Sequence, residues 1–163
     1  MYFLVLLTMK KDLIACLLDL ADSTTLFLES FKGAQLRISI DAQSEREEGD
    51  NCLITRATRL FFLSPDTPAL FCTSCLDKHV LTHNEYCSLM ETDTPIGKVF
   101  LNFNDARAIQ KKNVTIALGS DRLTAARLNV KDSILYRKEY DYVVGKRKIG
   151  RIIEFFNEES IQR

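Results

Sequence analysis

The sequence predicts an α+β fold carrying an antiparallel sheet. Three observations predict it. Two amphipathic helical patterns open the chain. Two pairs of β-rich runs follow, each pair joined by a short turn. No repeat, low-complexity stretch or linker divides the 163 residues, which suits one domain over 1–163.

The elements follow in order. Met1 to Leu7 is apolar, but it is too short to span a bilayer and lacks the flanks of a signal peptide. It is expected to be the buried start of a first helix or an irregular segment. Leu13, Ile14, Leu17, Leu18 and Leu20 recur at helical spacing, and Asp22-Ser23 stops that helix. Ser23 or Thr24 can cap a second helix through Leu26, Phe27, Leu28 and Phe31, ended by Gly33. Gln35 to Ala42 alternates as a half-buried strand, and Ser44 to Asp50 reads as a charged, solvated loop.

Cys52–Leu63 and Ala69–Leu76 are strand-like and joined by Ser64-Pro-Asp-Thr-Pro68, a hairpin turn. Asn84 to Glu91 reads as a short helix. Thr94-Pro-Ile-Gly97 reads as a tight turn entering the apolar run Val99–Phe103. Thr115 to Leu118 favours a strand within an ambiguous stretch, and Ser120-Asp121 starts a helix. Ser133–Val144 and Lys148–Phe156 flank Gly145-Lys146 as a second hairpin.

Composition narrows the function classes. Lys plus Arg is 22 and Asp plus Glu is 22, with no basic excess of the kind nucleic-acid binders carry. Lys146, Arg147, Lys148 and Arg151 read as turn and strand-edge charges. No apolar run is long enough for a membrane span. Five cysteines, an odd number, fit a reduced cytoplasmic protein rather than a disulfide framework. No G-x-G-x-x-G, P-loop or G-x-S-x-G is present, and with two histidines in one short segment a Ser-His-Asp triad is not expected.

Several residues can carry chemistry. Glu154 lies in Ile-Ile-Glu-Phe-Phe156, with apolar neighbours on both faces. It is either a strand-end carboxylate reaching solvent or a desolvated functional group. Arg56 and Arg59 have opposite parity, so one faces an apolar interior, and parity does not say which. A buried guanidinium needs an anion, structural or ligand. Cys72, Cys75, His79, His83 and Cys87 have zinc-like spacing, but Cys72 and Cys75 point opposite ways in a strand, so no metal is assigned. Gly97 permits close backbone approach, where N–H groups could hold a carboxylate or carbonyl.

The order of these features resembles the chorismate pyruvate-lyase family and its cyanobacterial and plastid relatives over about residues 10 to 157. Four segments carry it: Asp19-Leu-Ala-Asp-Ser-Thr-Thr25; Thr55-Arg-Ala-Thr-Arg-Leu60 with Pro68-Ala-Leu70; Asp93-Thr-Pro-Ile-Gly-Lys-Val-Phe100; and Gly145-Lys146 with Ile152-Ile-Glu-Phe155. The resemblance implies a six-stranded antiparallel sheet with helical flaps over a buried pocket. It implies a carbon–oxygen lyase that converts chorismate to 4-hydroxybenzoate and pyruvate without metal or cofactor, in quinone synthesis or another pathway, as a monomer or weak dimer. By position it places the family's Arg on Arg56, with Arg59 as a substitute, and its acid/base on Glu154. Backbone ligand contacts fall on Thr24 and Ile96, beside Gly97. The alternative is a non-enzymatic domain of the same fold that binds a small aromatic acid. Related domains sense effectors in transcription regulators behind a DNA-binding segment; with about 20 residues before the flap helix, this chain would need a separate partner for that.

Overall fold

The computed structural model describes residues 23–62 and 67–162. The expected helix over Leu13–Leu20, the Met1–Leu7 stretch and the Ser64-Pro65-Asp66 part of the first hairpin turn lie outside them. Helix α1 (Thr24–Lys32) is capped by the Ser23 side chain, which accepts from the Leu26 N–H, and ends at Gly33 with φ 64°. Strands β1 (Arg37–Glu48), β2 (Asn51–Phe61) and β3 (Pro68–Asp77) form an antiparallel meander. Helices α2 (His83–Glu91) and α3 (Ile96–Phe103) come next, then β4 (Ile109–Ser120), α4 (Arg122–Arg127), the β5 (Ile134–Val144)–β6 (Arg147–Phe156) hairpin and α5 (Glu158–Gln162).

The six strands form one antiparallel sheet in the order β1-β2-β3-β6-β5-β4. The two hairpins thus meet at the β3–β6 junction, where Cys72 stands opposite Glu154. Close approach there requires Gly150, since a Cβ would sit 2.2 Å from the Cys75 carbonyl oxygen. Strand β2 buries alternate residues, Cys52, Ile54, Arg56, Thr58 and Leu60, on its inner face. The main core lies between that face and helices α1, α2 and α3, around Leu28, Leu76, Leu89, Phe100 and Phe156. A smaller cluster of Phe71, Ala125, Leu128 and Leu135 seats α4 on the opposite face.

Two expectations are corrected. The charged stretch Ser44–Asp50 is mostly strand: β1 runs to Glu48, and Glu48 pairs with Asn51. Its charges sit on an exposed edge strand, where they discourage pairing with another chain. The run after Pro95 is a helix, not a strand entry. Pro95 sets the N-cap (φ −56°), and Ile96, Val99 and Phe100 are buried at helical spacing.

Candidate ligand site

The sheet's inner face and the first turns of α1 and α3 enclose a cavity of about 30 Å³. Ile38, Leu60, Leu70, Ile96, Ile152 and Tyr142 supply much of its apolar wall, and Thr24, Lys111, Tyr140 and Glu154 its polar strip. Glu154 is only 5% exposed. Its Oε2 accepts from the Thr24 hydroxyl at 2.7 Å and its Oε1 from the Tyr140 hydroxyl at 2.9 Å. Thr24 in turn accepts from the Lys111 ammonium at 3.0 Å, and that ammonium lies 4.5 Å from the Tyr140 ring centroid. A relay therefore runs from cation to hydroxyl to carboxylate, closed by the phenol. The α1 N-terminus places Thr24 where its partial positive charge also favours the carboxylate.

The neighbouring phenols and thiol are held neutral. Burial, reinforced by the Glu154 charge, pushes the Tyr140 hydroxyl well above the usual phenol range and does the same to Tyr142. Burial and the same carboxylate raise the Cys72 thiol, leaving it a protonated apolar neighbour rather than a nucleophile. Lys138 is fully buried, opposite Glu154 in the β5–β6 register, with its ammonium 5.7 Å from the Tyr140 ring centroid.

The two arginines separate cleanly. Arg59 is on the outer face, where Nε donates to both Asp41 oxygens at 2.9 Å. Arg56 is on the inner face and 2% exposed. It does not line the cavity. Its Nη1 donates to the Thr94 carbonyl at 3.0 Å and its Nη2 to the Thr92 carbonyl at 3.1 Å, while Nε is buried without a hydrogen-bond partner. Arg56 thus pins the loop that leads into Pro95-Ile96-Gly97. Burial lowers its pKa from the ordinary guanidinium value, and the Asp93 carboxylate opposes that shift.

Thr24, Ile96, Gly97 and Glu154 all line the cavity. Gly97 lets the two helix starts touch, since a Cβ there would stand 3.1 Å from the Ser23 hydroxyl. Thr24 departs from the expected backbone role, because its hydroxyl binds Glu154 directly. Sequence reasoning missed Lys111 and Tyr140. Tyr140 shares strand parity with Tyr136 and Tyr142, a legible signal. Lys111 had none: β4 breaks register between Lys112 and Thr115, with Asn113 at φ 54°. Cys72 faces the cavity and Cys75 the outside, and among the described residues the hydrogen-bond contact of His83 is with Cys87, at 3.6 Å. Among the described residues no group of three or more His, Cys, Asp or Glu could hold a metal.

No family model matches the sequence, and no curated protein matches it. Solved structures do. The chain is similar to PhnF from Mycobacterium smegmatis, with a TM-score of 0.62 and 13% identity over 85% of this chain and 64% of that one. It is similar to the effector domain of that protein (TM-score 0.53, 14% identity, 86% and 91% covered). It is also similar to the ligand-binding domain of a GntR-family transcriptional regulator from Bordetella bronchiseptica (TM-score 0.54, 10% identity, 77% and 85% covered). The Bordetella protein is the ligand-binding domain of a regulator and the PhnF fragment an effector domain, which overturns the expectation of a carbon–oxygen lyase; the resemblance held for the fold alone. Among the described residues no helix is long and apolar enough to cross a membrane. The chain has the six-stranded antiparallel α+β fold of GntR-family ligand-binding domains.

Proposed function

We propose that this chain is a non-enzymatic ligand-binding domain whose cavity takes the polar head of a small hydroxyaromatic molecule such as 4-hydroxybenzoate. The observation that carries this reading is Glu154, a buried carboxylate that accepts from two neutral hydroxyls, one of which links it to the Lys111 ammonium. A carboxylate has about four acceptor sites, so about two remain for a ligand. A phenol head donates to Glu154 and accepts from Lys111, repeating the arrangement of the Thr24 hydroxyl. Arg56 serves as a positioning residue: by holding the Thr92 and Thr94 carbonyls it fixes the Pro95–Gly97 wall. The fold, shared with regulator ligand-binding domains, supports sensing rather than turnover. Four cysteines are free among the described residues, which supports a cytoplasmic setting.

The test is thermal unfolding with 4-hydroxybenzoate, paired with chorismate incubation. At a ligand concentration of about 100 Kd the stabilisation is about 2.7 kcal/mol, which raises Tm by roughly 5–11 °C for a chain of this size. Chorismate should be recovered unchanged. Release of pyruvate would reverse the reading, and no shift with any hydroxyaromatic compound would remove the ligand class.

A further inference from the structure

The cavity beside Glu154 has room for the hydroxyl of a phenol but not for its ring, which must lie outside it. At about 30 Å³ it has room for roughly two water-sized centres. A second chamber of about 390 Å³ adjoins it, within the size range of small-molecule pockets. Leu26 and Phe27 of α1, Leu101 of α3, and Ala106 and Ile109 at the start of β4 give it an apolar lining. Ser23 and Tyr142 line both chambers. Tyr142 packs on Phe100 with ring centroids 5.2 Å apart, so the shared wall is firmly placed.

We infer that the two chambers form one bipartite site, and that the bound molecule is an amphiphile: a phenol hydroxyl at Glu154 and Lys111, with its ring and an apolar tail in the larger chamber beyond Ser23 and Tyr142. This rests on the proposed ligand-binding reading and adds the class of ligand. The charge layout carries it. Every charged group lining either chamber is in the small one, and the large one has only the hydroxyls of Ser23, Ser30 and Tyr142. A carboxylate on the far side of the ring, as in 4-hydroxybenzoate itself, loses hydration there without a cation to meet it and so binds more weakly than an ester, whereas an alkyl tail gains from burial.

Titration calorimetry of the full chain with 4-hydroxybenzoate and its methyl, butyl and hexyl esters tests this. Affinity is expected to rise by about fourfold per methylene, in line with the transfer free energy of a buried CH₂, so the butyl ester binds about 60-fold tighter than the methyl ester. Ala106→Trp, at an exposed rim position, and Leu26→Gln, at a half-exposed one, should each flatten the series, weakening the hexyl ester far more than the methyl ester. Affinity independent of tail length, with 4-hydroxybenzoate still bound, overturns the bipartite site and spares the ligand-binding reading. A length gain that survives both variants places the tail elsewhere and also overturns it. If no member of the series binds, both readings fall.

Discussion

The protein buries two glutamates, and they are treated in opposite ways. Glu85, on α2, is fully buried and saturated. The Arg147 guanidinium grips it with two bonds of 2.8 and 3.0 Å, Asn104 adds one at 2.7 Å, and the Thr82 N–H closes the capping box at 2.8 Å. Arg147 also reaches the Val80 carbonyl and the Asn104 side chain, so one cluster ties the turn after β3, α2, the end of α3 and the β5–β6 hairpin together. Glu154 has two neutral donors and no direct cation contact among its described hydrogen bonds. A buried charge with all its acceptor sites filled locks structure. One with acceptor sites to spare, beside a cavity, can take further hydrogen bonds, which is what the proposed ligand reading uses.

The largest effect expected from breaking this contrast is on stability. Arg147→Ala leaves Glu85 buried without its cation and should cost about 3–5 kcal/mol in urea unfolding, with 4-hydroxybenzoate affinity in the folded fraction unchanged. A loss below about 1 kcal/mol would mean the cluster is not structural. Second comes pH. Burial pushes Glu85 up, but the bonds from Arg147, Asn104 and the Thr82 N–H outweigh it and hold the pKa at about 2, against 4.5 for a free glutamate. Because the folded value is the lower one, this stabilisation is complete above about pH 4.5 and is lost as pH falls toward 2. Arg147→Ala should remove much of that acid sensitivity, measured as the slope of unfolding free energy between pH 5 and pH 3.

Glu154→Gln inverts the pattern. The amide keeps one acceptor, and the hydroxyl facing its NH₂ can turn to accept, so stability should change by about 1 kcal/mol or less. Ligand affinity should fall by at least about tenfold, read by calorimetry. Equal affinity for wild type and variant would move the site away from Glu154. Smallest is Thr24→Val, which cuts the link between Lys111 and Glu154. We expect about 1 kcal/mol in stability and a severalfold loss of affinity. Thr24→Ser should restore both.

Much of the frame was legible in sequence because it depends on local periodicity. Gly33 and Ser23 mark the ends of α1, and Gly145 marks the turn of the β5–β6 hairpin. The alternation in Cys52–Phe61 set the inner face of β2 but not which of Arg56 and Arg59 lay on it. That choice needed β1, because Asp41 stands ready for Arg59 on the outer face. The apolar run after Pro95 reads alike as strand or helix when short, and packing of Ile96, Val99 and Phe100 on the core chose helix.

By itself the sequence determined the antiparallel α+β class, the parity that puts Glu154 with Ile152 and Phe156, and the glycine turns, since these rest on contacts between near neighbours in the chain. Only the tertiary structure decided what Glu154 meets. Its partners Thr24 and Tyr140 are 130 and 14 residues away, and Lys111 reaches Thr24 across 87. Strand order brought β3 and β6 together, and two helix starts closed the cavity over them. The same packing turned Arg56 from a candidate ligand grip into the anchor of a loop. A guanidinium in a buried layer bonds to whichever acceptors lie in reach, and here those are the carbonyls of Thr92 and Thr94.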